Sequence, residues 1–378
     1  MSAFNETHAM VRASVQKFVK QHILPHINDW EEANEFPREL YTLAGAAGIL
    51  GIGFPDNWGG SGENDILMKV AASEELMRST SGGLVASLGS LDIALPPIVN
   101  WGSDELKQKV IPQVLSGHKI AALAITEPSG GSDVANLKTR AIREGDVYRI
   151  NGSKTFITSG LRADYFTVAV RTGGEGHSGI SLMLVEKGTP GFSTGARLRK
   201  MGWWASDTAE LFFDNCLVPA NHLIGVENTG FFAIMSNFLK ERLALSVMAY
   251  MTAQLAFEEA LRYVKQREAF GRPIEKFQVI RHMLVDMATQ VEVAREYTYH
   301  AALLMQAGKN PIKEVSMAKN FATQAADEVT DRAVQIFGGM GYMRESRVER
   351  YYRDARILSI GGGTTEIMKE IIAKQMGL

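Results

Sequence analysis

From Phe231 to Arg267 the chain runs without a single proline or glycine, and its apolar residues recur at helical spacing. A helix of that length owes its stability to packing, so the C-terminal part of the chain, which keeps this period to its end, reads as a helical bundle. Upstream the period changes. Short apolar runs, KIAALAIT from Lys119, then YRINGSKTFIT, DYFTVAVRT, GISLMLVEK and AELFFDNCLV, are separated by turn signals such as Gly145-Asp146 and Asn151-Gly152, and read as strands. Ahead of them, from about residue 4 to 117, helical spacing holds: Val11, Val15, Phe18 and Val19 mark one apolar face, and Ser103 with Glu105 opens another helix through Val114. The expected class is α+β, with a helical domain over residues 1–118, a β domain over 119–228 and a helical domain over 229–378.

A chain of 378 residues, 46% hydrophobic, is long enough for two or three cores. Forty basic residues against 42 acidic give a formal charge of -2, which leaves no net field to hold nucleic acid or an anionic membrane. The single cysteine, Cys216, excludes an internal disulfide and a thiolate zinc cluster and points to a reducing compartment. His22 and His26 have helical ligand spacing, but Pro25 lies between them and no partner motif accompanies them, so no metal is expected. The N-terminus opens directly into an amphipathic pattern, and no uninterrupted apolar run reaches the ~18 residues of a membrane span. The expectation is a cytoplasmic, bacterial protein without membrane or nucleic-acid partners.

Gly174-x-Gly176-x-x-Gly179 has the form of a dinucleotide fingerprint but lies between two strand-like runs. It reads as a hairpin loop, whereas the fingerprint turns from a strand into a helix that receives pyrophosphate. No nucleophile elbow, HExxH or Walker loop is present. The stretch AITEPSGGSDVANLKT, residues 124–139, is more informative. Its glycines beside Thr126, Ser129 and Ser132 make a loop of backbone N–H groups and small hydroxyls, suited to a phosphate or to a ring with carbonyl oxygens, although taken alone it reads first as a polar turn.

ITEPSGGSD, followed about twenty residues later by KTFITSG, resembles the acyl-CoA dehydrogenase family, and three further segments agree in order: QREAFGRPIEKFQ at 266–278, QIFGGMGYMRESRVERYYRD at 335–354 and GGGTTEIMKE at 361–370. The resemblance covers essentially the whole chain. It implies an N-terminal helical domain, a barrel-like or sandwich β domain and a C-terminal four-helix bundle. It also implies non-covalent FAD and a homotetramer, or pair of homodimers. The implied reaction is α,β-dehydrogenation of a fatty acyl-CoA to the trans-2-enoyl-CoA in fatty-acid β-oxidation, with electrons passed to electron-transfer flavoprotein. By the same resemblance, Leu123, Ile125, Thr126, Gly131 and Ser132 line the flavin, and Ser132 also meets the acyl-CoA. Phe156, Ile157 and Thr158 pack on and bond the isoalloxazine; Phe156 stands where many relatives have tryptophan. Arg267, Phe277 and Gln278 hold the adenine half, which Gln335, Ile336, Gly338 and Gly339 approach from a neighbouring subunit. Thr364 and Glu366 complete the cofactor site, and Arg242, Gly362 and Gly363 face the substrate, the Gly362 N–H at its thioester oxygen.

Many relatives place the catalytic glutamate where this chain has Gly362. The long-chain and isovaleryl branches instead carry it on the long helix directly before an arginine, where this chain has Glu241-Arg242. Helix geometry supports the same residue without the family, because Glu241 shares a face with Ile234, Phe238, Leu245 and Met248, and a carboxylate on an apolar stripe becomes a stronger base; read alone, the same residue also fits a solvated or salt-bridged glutamate beside Arg242 or Lys240. The base position leans the substrate toward medium or long-chain or branched acyl-CoA. An acyl-CoA oxidase or flavin monooxygenase of the same fold, and a non-catalytic scaffold, are the alternatives.

Overall fold

The computed structural model describes residues 4–62 and 65–378. Eight helices come first: α1 (Glu6–Phe18), α2 (Ile27–Ala33), α3 (Glu39–Ala46), α4 (Ile66–Met77), α5 (Gly82–Leu88), α6 (Leu91–Ala94), α7 (Pro96–Trp101) and α8 (Asp104–Leu115). Their starts follow capping chemistry. Asn5 accepts from the His8 N–H at 3.1 Å while its own N–H donates to His8 Nδ1 at 3.0 Å, and the Ser103 hydroxyl accepts from the Leu106 N–H at 3.3 Å. No single described helix is long and apolar enough to cross a membrane.

The middle of the chain forms one eight-stranded sheet in the order β6-β7-β3-β2-β4-β5-β8, with β1 parallel to β4. The strands are β1 (Ala121–Ala124), β2 (Arg140–Glu144), β3 (Val147–Thr158), β4 (Tyr165–Arg171), β5 (Ile180–Glu186), β6 (Phe192–Arg197), β7 (Thr208–Pro219) and β8 (Leu223–Ile224). Gly145-Asp146 is the β2–β3 turn, as the sequence suggests, since Glu144 pairs with Val147. Asn151-Gly152 is not a turn. It is an irregularity inside β3, where pairing with β7 shifts register between Ile150 and Gly152. Gly152 sits at φ +146°, and a Cβ there would lie 2.7 Å from the Thr139 Cα, so the glycine serves a close approach of strands and not a chain reversal.

After β8 come α9 (Gly230–Gln266), the short hairpin β9 (Glu268–Ala269) and β10 (Arg272–Pro273), then α10 (Gln278–Gln306), α11 (Ile312–Phe337), α12 (Arg347–Ala355) and α13 (Thr365–Met376). α11 packs on α9, α10, α12 and α13. The cores do not follow chain order: the N-terminal helices share one core with the sheet, whereas Leu67, Val70 and Met77 of α4 and Val85 of α5 belong to the core of the C-terminal helices.

α12 ties the three parts together. Asp354 accepts N–H bonds from Trp203 at 2.6 Å and from Gly82 at 3.2 Å, and Arg353 meets Glu31 of α2 at 3.3 Å while lying over the Trp204 ring. Gly83 allows the approach, since a Cβ there would lie 2.7 Å from the Trp203 Cα. Gly83→Ala is therefore expected to destabilise the protein by about 1–3 kcal/mol despite alanine's better helix propensity. Denaturant titration checks this, and an unchanged midpoint would show that the Trp203 backbone yields freely.

Candidate active site

Glu241 lies on α9, flanked on its face by the apolar residues that the helical period requires; Ile234 and Leu245 are buried. The residue as a whole is half-buried, yet its Oε2 atom is shut off from solvent and has no hydrogen-bond partner. No cation stands within salt-bridge distance of it among the described residues. Burial pushes its carboxyl up to about 7, against the opposing pull of Arg242 and Lys319. An enclosed, unpaired carboxylate with that proton affinity is equipped to accept a proton from a weak acid near neutral pH.

The turn between α12 and α13 faces it. Gly362 has φ +65°, and a Cβ built there would lie 2.5 Å from Leu245 Cδ1 and 3.4 Å from Glu241 Oε1. A side chain at 362 requires Leu245 to move and meets the carboxylate of Glu241 directly. The carbonyls of this turn point at cations: Arg242 Nε donates to the Gly362 oxygen at 3.1 Å, and Lys319 Nζ to the Gly363 oxygen at 2.7 Å. The N–H groups of Gly362 and Gly363 donate to no described residue, which leaves two amide donors beside the carboxylate. Arg242 also lies over the Phe238 ring, 5.4 Å from its centroid.

α9 is joined to the sheet through α6. Asn237, one turn before Glu241, donates to the Ile93 carbonyl at 2.9 Å, and Thr167 of β4 donates to the Ala94 carbonyl at 2.8 Å. β4 pairs with β1, which carries Leu123. Beyond β1, Ile125 is buried, Thr126 half-buried, and Gly131 and Ser132 exposed. The 125–139 loop is pinned by an ion pair without solvent access: Lys154 of β3 donates to Glu127 Oε1 at 2.8 Å and to the Ile125 carbonyl at 3.1 Å. The Glu127 carboxylate also accepts from the Lys138 and Thr139 N–H groups at 2.6 and 2.8 Å. Burial pushes the Glu127 carboxyl up, but Lys154 and these donors more than offset it and hold it below the usual range. The Lys154 ammonium is pushed by burial down to about 8.

Two residues beyond Lys154, Phe156 sits at φ +59°, where the β3–β7 pairing breaks register, and is 69% exposed while Ile157 beside it is buried. The left-handed backbone turns an aromatic ring out of the sheet next to Thr158, which pairs with Thr208. The Gly131 and Ser132 N–H groups donate to no described residue. An outward-turned aromatic face beside free amides and hydroxyls fits a flat heteroaromatic ring with polar edges.

The remaining residues that the sequence points to gather elsewhere. Arg267, half-buried Phe277 and exposed Gln278 flank the β9–β10 hairpin, and Tyr263 at the end of α9 stacks on Phe337 with ring centroids 4.1 Å apart. This brings the α11 end, with exposed Gln335, buried Ile336 and exposed Gly338 and Gly339, to the same end of one chain as Arg267. Thr364 caps α13, its hydroxyl accepting from the Ile367 N–H at 3.4 Å, and Glu366 is exposed in the first turn of that helix. Sequence reasoning passed over Lys319, Asn237 and the Glu127–Lys154 pair. Lys319 was within reach, because it shares a face of α11 with Val315, Ala322 and Ala326, the same argument that selects Glu241.

Family profiles match along nearly the whole chain: the acyl-CoA dehydrogenase N-terminal domain over residues 5–118, the middle domain over 122–216 and the C-terminal domain over 228–377. The chain belongs to the acyl-CoA dehydrogenase family. Such enzymes are FAD-dependent oxidoreductases. The chain is 42% identical to the mitochondrial long-chain specific acyl-CoA dehydrogenase of Mus musculus over 376 residues, covering 99% of this chain and 87% of that protein. It is similar to the crystal structure of a probable acyl-CoA dehydrogenase from Mycobacterium abscessus, with a TM-score of 0.97, 50% identity and 100% of each chain covered. A chain in the solved structure of the electron transferring flavoprotein of Acidaminococcus fermentans matches with a TM-score of 0.95 and 38% identity, covering 100% of this chain and 99% of that one. In this acyl-CoA dehydrogenase the outward-turned Phe156 and the free amides of the 125–132 loop fit the flavin ring of FAD.

Proposed function

We propose that the protein oxidises a medium or long-chain or branched acyl-CoA to its trans-2-enoyl thioester, with Glu241 as the base. The observation that carries this reading is the Glu241 Oε2 atom, enclosed and unpaired opposite a glycine turn with free N–H groups. Glu241 takes the proton from the carbon α to the thioester carbonyl, and the Gly362 N–H steadies the charge that develops on the thioester oxygen. When bound, FAD supplies the hydride acceptor for the β-hydrogen, a role no side chain can fill. Phe156, Ile157 and Thr158, with the 125–132 loop, hold its ring; Arg267, Phe277, Gln278, Gln335, Ile336, Gly338 and Gly339 hold its adenine half; Thr364 and Glu366 close the site. Arg242 and Gly363 shape the substrate side of the turn.

The long-chain similarity and the missing side chain at Gly362 support the longer or branched substrates. The likeness to a chain in an electron transferring flavoprotein structure supports such a protein as the electron acceptor, and β-oxidation as the setting. Exposure of Val279 and Val285 on α10, 64% and 63%, together with the exposed adenine-half residues, supports assembly into a homotetramer. In that assembly Gln335 to Gly339 of one subunit approach the adenine half held by Arg267 and Gln278 of its neighbour.

A panel of acyl-CoA thioesters, assayed anaerobically with an artificial electron acceptor and then with electron-transfer flavoprotein, tests the proposal. Turnover highest with medium, long or branched chains is expected. Turnover confined to short chains would refute the substrate class, and rapid peroxide formation in air with acyl-CoA alone would mark an oxidase.

A further inference from the structure

Resting on Glu241 as the base, we propose that Lys319 is a positioning residue for the dehydrogenation: buried in α11, it fixes the Gly361 to Gly363 turn and sets the charge field in which Glu241 works. The Lys319 side chain is 0% exposed, and no carboxylate lies within salt-bridge distance of it among the described residues. Its one hydrogen bond goes to the Gly363 carbonyl, at 2.7 Å. A buried ammonium without a paired anion is costly, and a chain using lysine only for packing would place a methionine there. Ordinary helix-face burial explains the stem and not the charge.

The charge has two consequences. Arg242 and Lys319 hold the successive carbonyls of Gly362 and Gly363, from α9 and α11 respectively. The Arg242 bond fixes the Gly362–Gly363 peptide plane and with it the direction of the Gly363 N–H, and the Lys319 bond fixes the next plane, Gly363–Thr364, which anchors the turn on its α13 side. Lys319 also pulls on Glu241. The charged groups acting on that carboxyl are Arg242 of its own helix and Lys319 of α11. Around them, the 361–363 turn carries no ionisable side chain, α6 brings Asp92, which is tied to Lys69, and α13 brings Glu366, which is exposed. Burial and Arg242 push the Lys319 ammonium down to about 8 while Glu241 pulls it up, so the two groups are coupled in both directions. The ammonium opposes the rise that burial imposes on the Glu241 carboxyl.

Lys319→Met keeps the unbranched stem, one atom shorter, and removes the charge and the bond to Gly363. In the FAD-loaded variant, the ascending acidic limb of the pH profile for flavin reduction, which follows deprotonation of Glu241, is expected to move about one unit toward alkaline pH. A crystal structure of the variant is expected to show the Gly361 to Gly363 turn displaced. An unmoved limb with the turn in place would overturn the proposal. If the variant does not fold, the reciprocal coupling is read without it: the pH titration of Lys319 by NMR of 13C-labelled lysine, in wild-type and Glu241→Gln protein. Loss of the Glu241 charge is expected to lower the Lys319 midpoint by about one unit. An unchanged midpoint would overturn the coupling, whereas undiminished flavin reduction in Glu241→Gln would overturn the base assignment alone.

Discussion

Glu127→Ala is expected to destabilise the protein by about 3–5 kcal/mol and to release FAD. The cost arises because Lys154, fully buried, then loses its counter-ion and keeps only the Ile125 carbonyl. The Lys138 and Thr139 N–H groups lose their acceptor in the same change, which frees the loop that carries Thr126 and Ser132. The pH dependence has a definite sign. Because the Glu127 carboxyl titrates lower in the folded protein than in the unfolded chain, its stabilisation is present above the unfolded value and is lost as pH falls through the folded one. Denaturant midpoints and the flavin content per chain measure both effects. The double variant Glu127→Ala with Lys154→Met is expected to recover much of the stability but not the loop. A single variant that keeps wild-type stability and full FAD would show that the pair does not hold the site.

Period and spacing alone carried the order of helices, strands and helices, because each segment buries one face and so keeps its 3.6 or 2 residue repeat. What they missed has physical reasons. β2 reads RAIRE, with Arg140 and Ile142 exposed and Ala141 buried, so its apolar residues do not mark the inner face. Asn151-Gly152 carries the same two residues as a hairpin turn, and the close approach of Thr139 that Gly152 admits within the strand leaves no mark in the local sequence. Glu241 was legible because the family resemblance, the missing side chain at Gly362 and its place on an apolar helix face point to the same residue. Lys319 obeyed the same rule, but a lysine can carry its charge to solvent along its stem, and sequence cannot show that this one does not. The contact between α12 and Trp203 joins residues more than a hundred positions apart and leaves no periodic trace.

The second large effect concerns Glu241. At pH 8 the folded protein holds this carboxylate charged in an enclosed place, and a rise from 4.5 to about 7 corresponds to on the order of 3 kcal/mol, at ~1.4 kcal/mol per pH unit. The sign follows from the raised folded value: the cost is absent below about 4.5, grows as pH rises toward 7 and is complete above it. Glu241→Gln is therefore expected to be more stable than wild type at pH 8 and to lose that advantage on acidification, the trade of stability for activity that a functional group imposes. The same substitution keeps the shape of the side chain but removes its basicity. Anaerobic stopped-flow reduction of the bound flavin, with the best thioester from the acyl-CoA panel, decides whether that basicity drives the reaction. Reduction is expected to slow by ~100-fold to 10,000-fold, with FAD content and acyl-CoA affinity retained. Reduction at near wild-type rate in Glu241→Gln would contradict the assignment and place the base elsewhere.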